Sequence, residues 1–458
     1  MPTYKLTYFN ARGLAELARL MFAEKGVEYE DVRIERDQWP DMKPNTPQGQ
    51  LPILEVDGQV IPQSKAFCRY LAREFGFYGS TSLDTARVDV VCETIDDLLQ
   101  GIRKFFAEQN EEEKAKKKAE FYSDGGAAQV VLKRLEKLLG TDDYFVENKL
   151  SLADFSMLMA SDWYLQNSEG AMDNFPTLLA LRKRLMELPK IAKWIETRPV
   201  TNPSPKTFIK SGERKTYKEE GAIDVAKQYH LLQREPTVQS FLELNSNSLQ
   251  IKMPSYKLNY FNIQGRAEIS RLCFVVAGVP FEDRRVDAAD WPALKPTMPN
   301  GAMPVLEVDG KMLPETRAIQ GYLGREFNLL GADNWETALV EVVGEMLDDL
   351  MKPLVEKVIF EKDEAKKAES AKAYFEEKGP LMLGRLEKRL ESNQGGDGFF
   401  VGKKISVADI GFFTCMDHML KLQPTVLDKY PKLKALRARF AAEKNVATYL
   451  EKRPQSDM

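Results

Sequence analysis

The chain opens on an alternation. In YKLTYF, residues 4–9, apolar and polar positions trade places every second residue, the period of a strand with one buried face. AELARLMFAEKG follows with apolar residues at helical spacing and a closing glycine. YEDVRIE is a second strand candidate, and QWPDMKPNTPQGQ, rich in Trp, Pro and Lys, reads as a loop. LPILEVDGQVIP predicts a hairpin turning at Asp57-Gly58, residue types that accept the positive φ of a two-residue turn. SKAFCRYLAREFG predicts a helix with Ser64 as N-cap and Gly76 as stop. From about residue 82 to 198 the period is helical throughout, in VDVVCETIDDLLQGI, AAQVVLKRLEKLLG and LSLADFSMLMASDWYLQ. Ser151 and Asp154 have the spacing of a helix-starting capping box, and EEEKAKKKAE at 111–120 mixes signs as a solvated helix face does.

The pattern then repeats. Residues 253–312 match residues 1–60 at a constant offset of 252, with 31 of 60 positions identical. YLAREF at 70–75 returns as YLGREF at 322–327, DDL at 96–98 as DDL at 348–350, and SLAD at 151–154 as SVAD at 406–409. A period this long exceeds the roughly 20–50 residues of solenoid repeats, so a whole globular unit has been duplicated. The expected fold class is α/β plus all-α, twice. Each repeat should be a thioredoxin-like domain of order β-α-β-α-β-β-α (1–78 and 253–330) followed by a helical domain (82–199 and 334–458). Residues 200–252 match neither repeat, and TNPSPK marks the start of a linker. At about 5–6 Å × √n its relaxed reach is near 40 Å, a domain diameter.

Composition removes several functions. With 29% charged residues and a net charge of −4, no basic field exists to draw nucleic acid. No apolar run reaches the ~18 residues that span a bilayer, and no secretory signal opens the chain, so a cytoplasmic protein is expected. Cys68, Cys92, Cys273 and Cys415 have no CxxC spacing and read as free thiols. His230 and His418 are the only histidines and are not at matching positions, which speaks against a zinc site or a duplicated His-based triad.

The YKLTYFNxRGxAExxRL segment, the WPxxK loop, the Pro-containing LEVDG hairpin and the Q-S-x-A helix together resemble a glutathione transferase, in detail the sigma class. That class includes prostaglandin D synthases and the S-crystallins of cephalopod lenses. The resemblance covers about 200 residues of each repeat. It implies glutathione as co-substrate, no metal or organic cofactor, and small hydrophobic electrophiles as acceptors. It places the thiol-activating hydroxyl on Tyr8 and Tyr260. It matches Pro52 and Pro304 to the family's cis-proline, beside which Leu51 and Met303 pair with the cysteinyl backbone. It puts Gln63 and Ser64, and Glu315 and Thr316, at the γ-glutamyl end. Trp39 and Lys43, with Trp291 and Lys295, fall at the glycyl end, where Gln50 lies alongside and Ala302 replaces it. Asp97 and Asp349, each preceded by a second acid (Asp96, Asp348), are expected to reach across a two-fold interface to the partner's glutathione amine. Phe9, Ile102, Phe105 and Phe106, with Phe261, Pro353 and Leu354, are the expected acceptor pocket.

Two departures stand out. Leu14 occupies the position where the family has an arginine supporting the tyrosine; Arg12 lies near it, whereas the second repeat has Arg266 with Gln264 beside it. The second repeat also has Glu315-Thr316 in place of Gln-Ser. Neither repeat has lost its tyrosine, which argues against decay to a purely structural protein. The resemblance implies an intramolecular pseudo-dimer of the two repeats, with a further homodimer or exchange of repeats between chains left open. A prostaglandin D synthase-like isomerase, an S-crystallin-like structural protein and a hydrophobic-ligand carrier are the competing functions.

Overall fold

The computed structural model describes residues 2–201 and 254–454. The expected linker lies, from residue 202 on, outside the described residues.

In the first repeat, β1 (Tyr4–Phe9), α1 (Glu16–Lys25), β2 (Glu30–Ile34), a short α2 (Trp39–Met42), β3 (Ile53–Val56), β4 (Gln59–Pro62) and α3 (Ser64–Phe75) follow in order. The sheet order is β2-β1-β3-β4, with β1 parallel to β2 and antiparallel to β3. Leu6, Leu54 and Ile61 line its inner face at zero exposure, which is what the alternation asked for. Asp57 (φ 48°) and Gly58 (φ 81°) form the hairpin turn. Two local expectations change. The Trp-Pro-Lys loop is a turn of helix, because Pro40 and Pro44 sit in first-turn positions where their fixed φ suits a helix. The N-cap position of α3 is Gln63, not Ser64, because the chain leaves β4 through a positive φ at Gln63 and is helical from Ser64 on.

Six helices complete the repeat: α4 (Ser82–Phe106), α5 (Glu111–Tyr122), α6 (Ala127–Leu139), α7 (Leu152–Asn167), α8 (Pro176–Glu187) and α9 (Pro189–Thr197). The second repeat follows the same course with β5 (Tyr256–Phe261), α10 (Glu268–Ala277), β6 (Glu282–Val286), α11 (Trp291–Leu294), β7 (Val305–Val308), β8 (Lys311–Pro314) and α12 (Thr316–Glu326). Then come α13 (Asn334–Leu354), α14 (Glu364–Ala373), α15 (Gly379–Glu391), α16 (Val407–Leu422), α17 (Pro431–Ala441) and α18 (Lys444–Lys452). Its sheet order, β6-β5-β7-β8, is that of the first. Pro353 in the last turn of α13 lacks the amide an α-helix needs, and the chain widens into a π-turn at Val355–Ile359 where α4 stays regular.

The repeats share their cores. Ala86 and Val90 of α4 belong to the same buried cluster as Tyr256, Ile319 and Tyr322 of the second repeat. α3 packs on α13, and α12 on α4. Arg73 of α3 makes a two-pronged bond to Glu341 of α13, 2.8 and 2.9 Å, and Tyr70 meets Trp335 edge-on at 6.2 Å.

Both capping boxes form. Asp154 is fully buried and accepts from Phe145 N (3.1 Å), Ser151 N (2.8 Å) and Ser151 Oγ (2.8 Å); Asp409 does the same with Phe400 and Ser406. Burial pushes both carboxyls from their ordinary 3.8 up to about 6, with those hydrogen bonds pulling the other way. A carboxyl whose folded pKa is raised contributes stability fully present below 3.8 and lost as the pH rises through 6. We therefore predict that the stability gap between wild type and Asp154→Asn is widest near pH 4 and shrinks by about 2–3 kcal/mol on going to pH 7. Urea unfolding across that range measures it, and a pH-independent gap would refute it.

Candidate functional site

Tyr8 stands at the C-terminal end of β1, where register sets it beside Arg33 of β2. Its hydroxyl faces the turn that starts α1 and accepts from Leu14 N at 3.4 Å. Tyr260 repeats this with Arg266 N at 3.1 Å. The turn comes this close because residues 13 and 265 are glycines with φ of 42°; a Cβ there would lie 2.6 Å from the Tyr8 hydroxyl and 2.7 Å from that of Tyr260. A phenol that accepts from an amide at a helix start keeps its own hydrogen free to donate outward.

Leu14, where the second repeat has Arg266, thus brings no guanidinium and leaves the backbone contact in place. Arg12 does not replace that guanidinium. It turns away to Asp162 of α7 at 3.2 Å, part of a network in which Arg182 and Arg198 also meet Asp162. Arg266 is exposed, and Gln264 is buried.

The peptide bonds Leu51–Pro52 and Met303–Pro304 are both cis. Beyond each hairpin the chain passes through Gln63 (φ 69°) or Glu315 (φ 71°), a left-handed conformation that side chains with a Cβ rarely adopt and that concentrates at ligand-binding positions. Ser64 and Thr316 are the first residues of α3 and α12. Trp39 lies at the start of α2 under Phe9, ring centroids 5.7 Å apart, and Trp291 lies under Phe261 at 5.4 Å. Lys43 and Lys295 are exposed at the next turn, where their stems pass 3.6 and 3.7 Å from a Cβ built at Gly49 and Gly301. Gln50 and Ala302 are exposed beside them.

The acids on α4 and α13 divide by partner. Asp96 is buried against Lys65 (3.0 Å) and Gln100 (2.7 Å). Burial would raise its pKa, but Lys65, Gln100 and Arg103 together hold it below the usual value. Asp348 pairs with Arg317. Asp97 and Asp349 are left to face the other repeat. Asp349 Oδ2 lies 3.3 Å from Gln63 Nε2, and Asp97 sits within the field of Arg266 and Glu315. Burial raises the Asp97 pKa, with Asp96 adding and Arg134 opposing.

The expected acceptor pocket changes most. Phe105 is 2% exposed among Phe121 and Tyr122, and Ile102 and Leu354 are fully buried. Their apolar spacing belongs to a core, and a buried ring has no surface to offer. Phe106, 54% exposed, and Pro353, half-buried, are the accessible members. Phe9 and Phe261 are half-buried and engaged with the tryptophans.

Sequence reasoning gave no role to Gly13 and Gly265, although both recur directly before the helix. It also passed over Gln48 and Asn300, which are buried and hydrogen-bond Gln63 (2.8 Å) and Glu315 (2.7 Å). Arg385 was missed as well; its Nη2 lies 3.4 Å from a Cβ at Gly49 of the other repeat, a proximity that no local pattern encodes. Among the described residues no cluster of three His, Cys, Asp or Glu side chains is placed to hold a metal, and no helix is long and apolar enough to cross a membrane.

The family model for the glutathione S-transferase N-terminal domain matches residues 4–73 and 256–325, and that for the C-terminal domain matches 96–198 and 348–453. Hematopoietic prostaglandin D synthase of Gallus gallus is 44% identical over 201 residues, 44% of this chain and 99% of that protein. S-crystallin SL11 of Nototodarus sloanii is 40% identical over 202 residues, 44% of this chain and 98% of that protein. Among solved structures, a Fasciola hepatica sigma class GST is 33% identical, with a TM-score of 0.42, over 44% of this chain and 98% of that one.

Proposed function

The chain belongs to the glutathione S-transferase family and is an enzyme carrying that family's two domains twice; from that premise we propose that it is a sigma-class, cytoplasmic detoxifying transferase that conjugates glutathione to small apolar electrophiles at two sites. The domains divide as 1–78, 82–199, 253–330 and 334–458. The repeats work as an intramolecular pseudo-dimer, each lending an acid to the other's site. The observation that carries this reading is the bonding of Tyr8 and Tyr260, whose hydroxyls accept from a helix-start amide and leave their hydrogens to a ligand.

The chemistry follows from the thiol. A thiol titrating near ~8.5 is mostly protonated at pH 7, and the thiolate is the nucleophile. One charge-assisted hydrogen bond from Tyr8 or Tyr260, with the start of the following helix, is enough to lower that pKa by about 2 units, or about 2.7 kcal/mol. The Leu51 and Met303 backbones align the cysteinyl residue. Gln63 with Ser64, or Glu315 with Thr316, and the opposite repeat's Asp349 or Asp97 take the γ-glutamyl end. Trp39 with Lys43, or Trp291 with Lys295, take the glycyl carboxylate. The acceptor lies against Phe106 in the first repeat and Pro353 in the second, at the C-terminal ends of α4 and α13.

The test is formation of the thioether from glutathione and a chlorodinitrobenzene-type acceptor, read by absorbance. Turnover is expected. Likeness to the Gallus gallus enzyme favours one second reading, isomerisation of a prostaglandin endoperoxide by the same activated thiol, which product analysis separates. Binding of an S-alkyl glutathione without turnover of either substrate would replace the enzyme reading with an S-crystallin-like or carrier role.

A further inference from the structure

The two sites share a backbone but not a charge. In the first, Gln63 Nε2 donates to Gln48 Oε1 at 2.8 Å and to Asp349 Oδ2 at 3.3 Å, so one carboxylate serves the γ-glutamyl end and it already meets an amide. In the second, the hydrogen bond runs the other way: Asn300 Nδ2 donates to Glu315 Oε1 at 2.7 Å. Asp97 holds in the second site the place that Asp349 holds in the first, so a carboxylate, Glu315, takes the position of the amide that meets the other repeat's acid, with Glu93 adding negative charge and Arg134 positive charge nearby. Burial raises the pKa of both Glu315 and Asp97, and each is raised further by neighbouring acids. Two neighbouring carboxylates, the half-buried Glu315 and the exposed Asp97, are relieved by a cation placed between them.

Resting on the glutathione reading above, we infer that Glu315 makes the second site selective for a free, cationic γ-glutamyl amine, whereas the first site, with Gln63, accepts γ-glutamyl thiols whose amine is acylated. Acylation of the amine removes the positive charge. At the first site it forfeits one ion pair with Asp349 and leaves an amide that Gln63 can still bond. At the second it leaves two carboxylates without their counter-ion and brings no donor that satisfies both. Leaving a second carboxylate without its charge-assisted bond corresponds to a factor of about 10–100 in affinity.

The experiment is calorimetric titration of the full chain with S-hexylglutathione and with N-acetyl-S-hexylglutathione. The parent ligand is expected to fill two sites. The acetylated ligand is expected to split them, one class weakened about tenfold and the other weakened a further 10-fold or more. Glu315→Gln should bring the weak class up to the strong one, and Gln63→Glu should weaken the remaining class. Equal weakening at both sites in wild type, or a gap unchanged in Glu315→Gln, overturns the inference while leaving glutathione binding intact. Failure of the parent ligand itself to bind overturns the glutathione reading and this inference with it.

Discussion

The double variant Tyr8→Phe, Tyr260→Phe should conjugate glutathione about 100-fold more slowly at neutral pH in kcat/KM, the rate equivalent of ~2.7 kcal/mol. Each single variant should keep the turnover of the untouched site. The change is confined to the hydroxyl. A phenylalanine preserves the edge-on packing of ring 8 on Phe9 at 5.5 Å and of ring 260 on Phe261 at 5.7 Å, so the folded state should lose little beyond the bond from Leu14 N or Arg266 N, about 1 kcal/mol at each site. The lost quantity is a hydrogen bond to the thiolate, which acts on the thiol's pKa. The variants should therefore recover as the pH rises toward ~8.5, where free thiols ionise unaided. A variant damaged in folding would lose rate at every pH. If the double variant stays within twofold of wild type at pH 7, another group lowers the thiol's pKa. If only one single variant loses activity, one repeat does the chemistry.

The fold and the site were legible in the sequence to different depths. β1 came from period-two alternation and β3 and β4 from the hairpin signal between them; Leu6, Leu54 and Ile61 are their buried phase. Asp57-Gly58 is a turn with a local cause. Position 63 is different. Its positive φ depends on how β4 delivers the chain to α3, and a glutamine gives no hint of it, so the cap was placed one residue late. The acceptor pocket failed for a similar reason. Phe105 and Phe106 are adjacent in sequence, and only packing decides that one is core and the other is 54% exposed. Choosing Asp97 and Asp349 over Asp96 and Asp348 depends on where Lys65 and Arg317 reach, which is tertiary information. The duplication itself supplied much of the missing signal. A feature present at both copies, such as the glycine facing each tyrosine, is marked as a constraint, and a feature that differs, such as 63 against 315, is marked as a divergence.

The largest expected loss of stability lies where the repeats meet. Arg69 of α3 is 7% exposed. It donates to Asp89 at 3.0 Å and Glu93 at 2.9 Å, and lies 3.5 Å from Glu345 of the second repeat. Asp89 in turn accepts from Tyr78 at 2.6 Å and lies 3.7 Å from Arg325. The counterpart of Arg69 in the second repeat is Gly321, so Arg69 alone meets all three carboxylates, with Arg325 (3.7 Å from Asp89) and Lys65 (3.9 Å from Glu93) as more distant second cations. Gly321 lies against the cluster itself, since a Cβ there would stand 3.3 Å from Asp89 Oδ2 and 3.4 Å from Arg325 Nη2. A buried pair with one partner removed typically costs about 3–5 kcal/mol, because the surviving charges lose their partner and cannot reach water. Arg69→Ala should therefore lower the unfolding free energy by that amount in urea. Lys434→Ala, which breaks an exposed pair with Asp428, should change it by no more than about 0.5 kcal/mol. A gap below about 1 kcal/mol at neutral pH would mean that the acids relax into solvent, and that apolar packing by residues such as Ala86, Val90 and Ile319 holds the repeats together without help from this charge cluster.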